Sequence, residues 1–309
     1  MKTVFMFSGQ GAQYVGMGKE LYENFDCAKE IFDRADKALG FSIKDMCFEN
    51  EEELNKTENT QPAILTVSIA ALKVLEEKSI KADYVAGLSL GEYTAHVASG
   101  SMNFDEAVAL VKKRGKYMTE AVPFGVGGMY AIMGLERDLV LECCKEASDI
   151  GYVAPANYNA PGQIVIAGIA EAVEKAAEIA KEKGAKLTVK LNVSGPFHTE
   201  LLKPASEKLA KELENINIGN MEIPVITNVT GNIIENNEDI APLLIKQVMS
   251  PVKWEDTIKT LSELGVDTFI EIGPGKALSG FVKRTIKGAT ILNVEDMKSL
   301  EKTLAKLNG

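Results

Sequence analysis

Asp83-Tyr-Val-Ala-Gly-Leu-Ser-Leu-Gly-Glu-Tyr-Thr-Ala95 reads as a short strand, a sharp turn and the opening of a helix. Tyr84, Val85 and Ala86 are extended-prone, and Gly87 and Gly91 flank Ser89 as Gly-x-Ser-x-Gly. That spacing is the nucleophile elbow. A serine that must stand proud of a strand-to-helix turn needs a tight turn, and glycines on either side let strand and helix pass without Cβ clashes. The helix opening at Leu90 points free N–H groups at whatever sits on Ser89, which suits a developing oxyanion. The plainer alternative is a glycine-rich turn holding an ordinary serine.

The chain around this stretch has 309 residues, 46% of them apolar and 25% charged, as in a globular protein with a sizeable core. Strand-like and helix-like segments alternate, so the expected class is α/β. A net charge of −10 argues against nucleic acid as a main partner. The apolar start Met1–Phe7 is too short for a signal core, and no apolar run reaches the roughly 18 residues of a membrane span. No C-x-x-C pair and only two histidines, His96 and His198, leave little material for a metal site. Cys27, Cys47, Cys143 and Cys144 suit reduced thiols, and the expected location is the cytoplasm with no membrane contact.

Thr3–Phe7 reads as a buried strand followed by the Ser8–Gln13 glycine-rich loop, Tyr22–Leu39 as an amphipathic helix, and Glu49–Asn59 as a solvated acidic segment. Pro62–Leu75 is apolar nearly all round, which predicts a buried helix supporting the Ser89 strand. After the glycine-rich stretch Pro123–Gly128 the order becomes β-α-β-β-α-β up to Val193, the ferredoxin-like arrangement. The domain expectation is therefore a large α/β-hydrolase-like domain bearing the elbow, residues 1–124 and 195–309, with a small inserted ferredoxin-like domain, 125–194. Ile223–Asn228 and Thr268–Ile272 read as later strands, Leu243–Met249 as a helix ended by Ser250-Pro251, and Met297–Leu307 as a closing helix.

Two side chains extend the chemistry of Ser89. Arg114 falls in phase with the apolar stripe Ala107, Leu110, Val111 and Met118, so it needs an anionic partner. The plainer readings are a structural salt bridge or a side chain that snorkels out to solvent; the sharper one is a bidentate clamp for a substrate carboxylate. A serine nucleophile also needs a base. His96 lies seven residues along the same helix, roughly 10 Å away, beyond hydrogen-bond reach. His198, in a Gly-Pro-Phe-His loop at the domain junction, is the better candidate. No Asp or Glu stands out as third member; a backbone carbonyl or an amide is the remaining means of orienting the imidazole.

Phe7-Ser-Gly-Gln-Gly11, Gly87-Leu-Ser-Leu-Gly-Glu92, Lys113-Arg-Gly115, Asn159-Ala-Pro-Gly-Gln163, Gly195-Pro-Phe-His198, Gln247 before Ser250-Pro251, and Glu271-Ile-Gly-Pro-Gly275 follow one another along the chain. Taken in that order, the set resembles the malonyl-CoA:acyl carrier protein transacylase family, nearly end to end. The resemblance implies that Ser89 is acylated and that His198 is its general base and then acid. It implies that the Gln247 carbonyl holds the imidazole, that the N–H groups of Gln10 and Leu90 form the oxyanion hole, and that Arg114 pairs with the malonyl carboxylate. Phe197 matches members that prefer unbranched malonyl. Leu88 stands where the family usually has His, which alters contacts near the acyl site, and His96 receives no role.

The implied reaction is malonyl transfer from malonyl-CoA to the phosphopantetheine thiol of acyl carrier protein, in fatty acid biosynthesis, with no cofactor and no metal; a monomer is an expectation separate from the resemblance. Both partners are anionic, so docking on this acidic chain needs local cations such as Lys181, Lys183, Lys186 and Lys190, or Lys283, Arg284 and Lys287. A serine hydrolase using the same pair, and a non-catalytic carrier-binding subunit, are the competing readings.

Overall fold

The computed structural model describes residues 2–123, 125–193 and 195–307. The expected domain boundaries at Phe124 and Ser194 lie outside the described residues. The structure is α/β with two sheets. The chain opens with β1 (Thr3–Phe7), then α1 (Lys19–Asn24), α2 (Asp26–Leu39), α3 (Ile43–Glu49), α4 (Glu51–Leu54) and α5 (Thr57–Glu77). β2 (Tyr84–Gly87), α6 (Leu90–Ala98) and α7 (Phe104–Glu120) follow. A second unit comprises β3 (Gly127–Met133), α8 (Arg137–Ala147), β4 (Val153–Ala160), β5 (Gln163–Ile169), α9 (Ala170–Glu182) and β6 (Leu187–Lys190). The chain closes with α10 (Lys203–Leu213), β7 (Val225–Ile226), α11 (Ile240–Gln247), α12 (Trp254–Glu263), β8 (Thr268–Ile272), α13 (Ala277–Thr285), β9 (Thr290–Val294) and α14 (Met297–Leu307).

The larger sheet runs β7-β2-β1-β8-β9, and every pairing is parallel. Its β1 is buried at all five positions, as a parallel strand covered on both faces must be. The smaller sheet runs β4-β5-β3-β6 and is antiparallel, with the β-α-β-β-α-β order read from the sequence. One face packs on α8 and α9 through Ile132, Ile164 and Ile166. Residues of its other face, Met129, Val165 and Ala167, join the core of the larger unit. Backbone bonds Tyr158 N–H to Val252 O and Val252 N–H to Ala156 O, both 2.8 Å, stitch β4 to the larger unit.

α5 is the buried helix expected beneath the Ser89 strand, but it starts at Thr57, so Pro62 lies inside it. Packing on α2, α6 and α7 outweighs the hydrogen bond that Pro62 cannot donate. The expected single helix over 22–39 is interrupted at Phe25, whose extended backbone (φ −132°, ψ 125°) separates α1 from α2. The acidic segment 49–59 is exposed at Glu51 and Glu52 but folds as the short α4, capped by Asn50 and carrying its acids at the positive end of the helix. α11 ends three residues before Ser250, which leaves Gln247 as its last residue.

Two glycines set the approach of β1, β2 and α6. A Cβ on Gly87 would lie 1.9 Å from the Gly91 carbonyl, and one on Gly91 would lie 2.1 Å from the Phe7 carbonyl oxygen. Both obstacles are backbone, so nothing can rotate away. Gly91→Ala is expected to cost about 3 kcal/mol of stability, at the upper end for overpacking. Gly280→Ala, in open space on α13, should be neutral or stabilising. Urea unfolding of the two variants checks this; equal midpoints would contradict the close approach. Among the described residues no helix is long and apolar enough to cross a membrane.

Candidate active site

Ser89 sits between β2 and α6 as the helix N-cap, with φ 54° and ψ −104°. Only three non-glycine residues among those described have positive φ, and two of them are Ser89 and His198 (φ 61°). Such backbones cost about 1–3 kcal/mol each and persist where the surroundings over-determine them. Here the restraints are visible. Asn228 accepts the Ser89 N–H on Oδ1 at 2.6 Å and donates from Nδ2 to the Gly87 carbonyl at 2.7 Å. Gln247 Nε2 donates to the Ser89 carbonyl at 2.9 Å.

The two strained residues face each other. Ser89 Oγ lies 2.7 Å from His198 Nε2, and His198 Nδ1 lies 2.9 Å from the Gln247 carbonyl oxygen. A carbonyl can only accept, so Nδ1 carries the proton and Nε2 is left to accept from the serine hydroxyl. The carbonyl is available because Gln247 ends α11, and last-turn carbonyls lack helical partners. A backbone carbonyl, not a carboxylate, therefore orients the imidazole.

Burial, and then the nearby Arg114 cation, lower the His198 pKa to about 4. The imidazole is thus neutral, as a base must be, well below neutral pH. The acid limb of kcat/KM for serine acylation is expected near that value, with a level profile from mildly acidic pH upward. A midpoint at the ordinary histidine value of about 6.5 would contradict a buried base.

Arg114 is 1% exposed, on the buried stripe of α7. Its Nη1 donates to Gln61 Oε1 at 2.8 Å, and its Nη2 donates to Gln247 Oε1 at 2.9 Å and to Ser89 Oγ at 3.1 Å. The guanidinium carbon lies 5.1 Å from the centre of the Tyr93 ring. Among the described residues it forms no direct ion pair, although the buried Glu92 acts on it through space. Burial lowers its pKa, against the opposing pull of Tyr93 and Glu92. Such a group favours an incoming carboxylate.

Ser89, Arg114 and His198 line one cavity of about 260 Å³, together with Gln10, Leu88, Leu90 and Phe197. Every site residue expected from the sequence except Gln247 lines it, and Gln247 lies directly behind. Gln10 is held by its side-chain bond to Thr57 Oγ1, 3.0 Å. His96 is buried elsewhere on α6 with Nδ1 3.0 Å from Ser101 Oγ, and burial pulls its pKa down to about 3. Sequence reasoning missed Asn228, Gln61, Glu92 and the side chain of Gln247. Among the described residues no group of three or more His, Cys, Asp or Glu could hold a metal ion.

A family model for the acyl transferase domain matches residues 4–304. The malonyl CoA-acyl carrier protein transacylase of Bacillus subtilis is 47% identical over 308 residues, covering 99% of this chain and 97% of that protein. The crystal structure of the same-named protein from Clostridium perfringens is 52% identical with a TM-score of 0.97, covering 100% of this chain and 98% of that one. A malonyl-transacylase solved in complex with its type II PKS acyl-carrier protein is 42% identical with a TM-score of 0.96, covering 99% of this chain and 100% of that one. With a nearly full-length family match and relatives of this identity, the chain belongs to the malonyl CoA-acyl carrier protein transacylase family of acyltransferases.

Proposed function

We propose that the protein transfers the malonyl group of malonyl-CoA to the phosphopantetheine thiol of an acyl carrier protein, through a malonyl-serine intermediate, in fatty acid biosynthesis. The observation that carries the reading is one cavity in which Ser89 Oγ lies 2.7 Å from the base nitrogen of His198 and 3.1 Å from a buried, ion-pair-free Arg114.

In the first half-reaction His198 Nε2 takes the Ser89 proton and Oγ attacks the thioester carbon. The N–H groups of Gln10 and Leu90 hold the oxyanion. The C–S bond breaks and His198 returns the proton to the departing CoA sulfur. In the second half-reaction His198 takes the carrier thiol's proton and the sulfur attacks the ester carbon; the C–Oγ bond then breaks and His198 returns the proton to Ser89 Oγ. Arg114 reads the far carboxylate, and its short distance from Oγ suits a three-carbon acyl group. Phe197 closes the cavity against branched acyl groups. No step calls for a metal or a cofactor.

The β2–Ser89–α6 turn is, on this reading, the nucleophile elbow of an α/β-hydrolase-like domain, residues 1–124 and 195–309, and the β3–β6 unit a ferredoxin-like domain, 125–194. One chain supplies every group of the proposed site, which fits a monomer. All four cysteines are unpaired, which fits the cytoplasm. For the anionic partners, Lys283, Arg284 and Lys287 are exposed, whereas Lys183 is engaged by Glu142 and Glu146.

Product analysis with malonyl-CoA and phosphopantetheinylated carrier protein tests the reading. Malonyl-carrier protein as the main product supports transfer; free malonate in its place, at the same rate with or without carrier, would make the protein a hydrolase.

A further inference from the structure

Glu92 is fully buried on α6, three residues past Ser89, and the proposed chemistry gives it no task. Its Oε2 accepts from Gln247 Nε2 at 2.7 Å and from the Asn228 N–H at 3.0 Å. Each donor belongs to a residue that holds the site. Asn228 clamps the strained turn at both Gly87 and Ser89. Gln247 bonds His198 through its backbone, and Arg114 and Ser89 through its side chain.

The chemistry of the amide gives the arrangement its logic. A carboxylate only accepts, so Glu92 requires the NH2 of Gln247 to face it, and the amide oxygen is then turned to Arg114. A flipped amide would set two acceptors against each other at Glu92 and two donors against each other at Arg114. Burial raises the Glu92 pKa to about 6, against the pull of these hydrogen bonds. An acid kept in so dry a place is expensive unless its acceptor oxygen is needed.

We infer that Glu92 is a positioning residue: by fixing the Gln247 amide and the Asn228 backbone together, it aims Arg114 into the acyl cavity and holds Ser89 against His198. The inference rests on the acyl-transfer reading above and assigns Glu92 no contact with substrate.

The test separates reach from charge. Glu92→Gln removes the charge but keeps an acceptor oxygen at the Oε2 position, with its NH2 at the position of Oε1, which has no hydrogen-bond partner among the described residues. Glu92→Asp keeps the charge but is one methylene short of both donors. Single-turnover malonylation and the malonyl-over-acetyl ratio of kcat/KM are measured for wild type, both variants and Ser89→Ala, with rates expressed per folded protein from thermal melts. Positioning predicts that Glu92→Gln stays within a few-fold of wild type and keeps its acyl preference. It predicts that Glu92→Asp loses about 100-fold in malonylation, the scale of a small misplacement of reacting groups, and loses most of the preference. The reverse order would make Glu92 a counter-ion of Arg114 and overturn the inference. So would two variants that match wild type, or two that fail equally. A wild type that takes no malonyl group would instead remove the acyl-transfer reading on which the inference stands.

Discussion

Ser89→Ala is expected to lower malonyl transfer to carrier protein on the order of 10,000-fold or more, the scale seen when a serine nucleophile is removed from an intact site. Its Oγ is the atom the whole site converges on, since His198 Nε2 and Arg114 Nη2 both lie within hydrogen-bond distance of it. On the proposed reading, the thioester would still meet the oxyanion donors but find no nucleophile. The loss corresponds to more than about 5 kcal/mol of transition-state stabilisation. The folded state should change little. The variant leaves His198 Nε2 without its partner, a penalty of about 1–3 kcal/mol for a buried group, while the Asn228 clamp on the turn uses backbone atoms and survives. Steady-state transfer and a thermal melt, run together, test both halves. Residual transfer within 100-fold of wild type, in a folded variant, would point to another nucleophile.

Arg114→Ala should reverse the acyl preference. On the proposed reading, a neutral acyl group leaves the buried guanidinium of the wild type without a substrate anion, whereas a malonyl carboxylate supplies one. Truncating one member of a buried, hydrogen-bonded charge pair costs about 2–5 kcal/mol, so kcat/KM for malonyl-CoA should fall roughly 30- to 5,000-fold. Acetyl-CoA loses no partner, and its kcat/KM should hold or rise. The base and nucleophile remain, so chemistry itself survives. The ratio of the two kcat/KM values is the readout, because it cancels any loss of folded protein. Equal falls for both substrates would make Arg114 a structural cation.

Much of this was legible in the chain, and the reasons differ by residue. The Gly87–Ser89–Gly91 spacing and the phase of Arg114 on α7 are local patterns, fixed within a few residues by sterics and helical period. Gln247 is different. Its backbone carbonyl has no side-chain signature, so only the resemblance pointed to it, whereas the structure gives the physical reason in the end of α11. Asn228 left no signal, and Glu92 stood in a quoted motif without a role, because the bonds that define them, Ser89 to Asn228 and Asn228 to Glu92, span separations of 139 and 136 residues. The missed break at Phe25 and the helix start ahead of Pro62 belong to the same class: packing decided them over propensity. Leu88 lines the cavity as expected of its position, beside the Gly9 turn.

The most direct measurement is the intact mass of the wild-type protein after brief mixing with malonyl-CoA, followed by peptide mapping and a chase with phosphopantetheinylated carrier protein. The account predicts one malonyl adduct, on Ser89, that disappears as the carrier gains it. Transfer to the carrier with no adduct on Ser89, at times when turnover is under way and the intermediate should accumulate, would contradict the acyl-enzyme route.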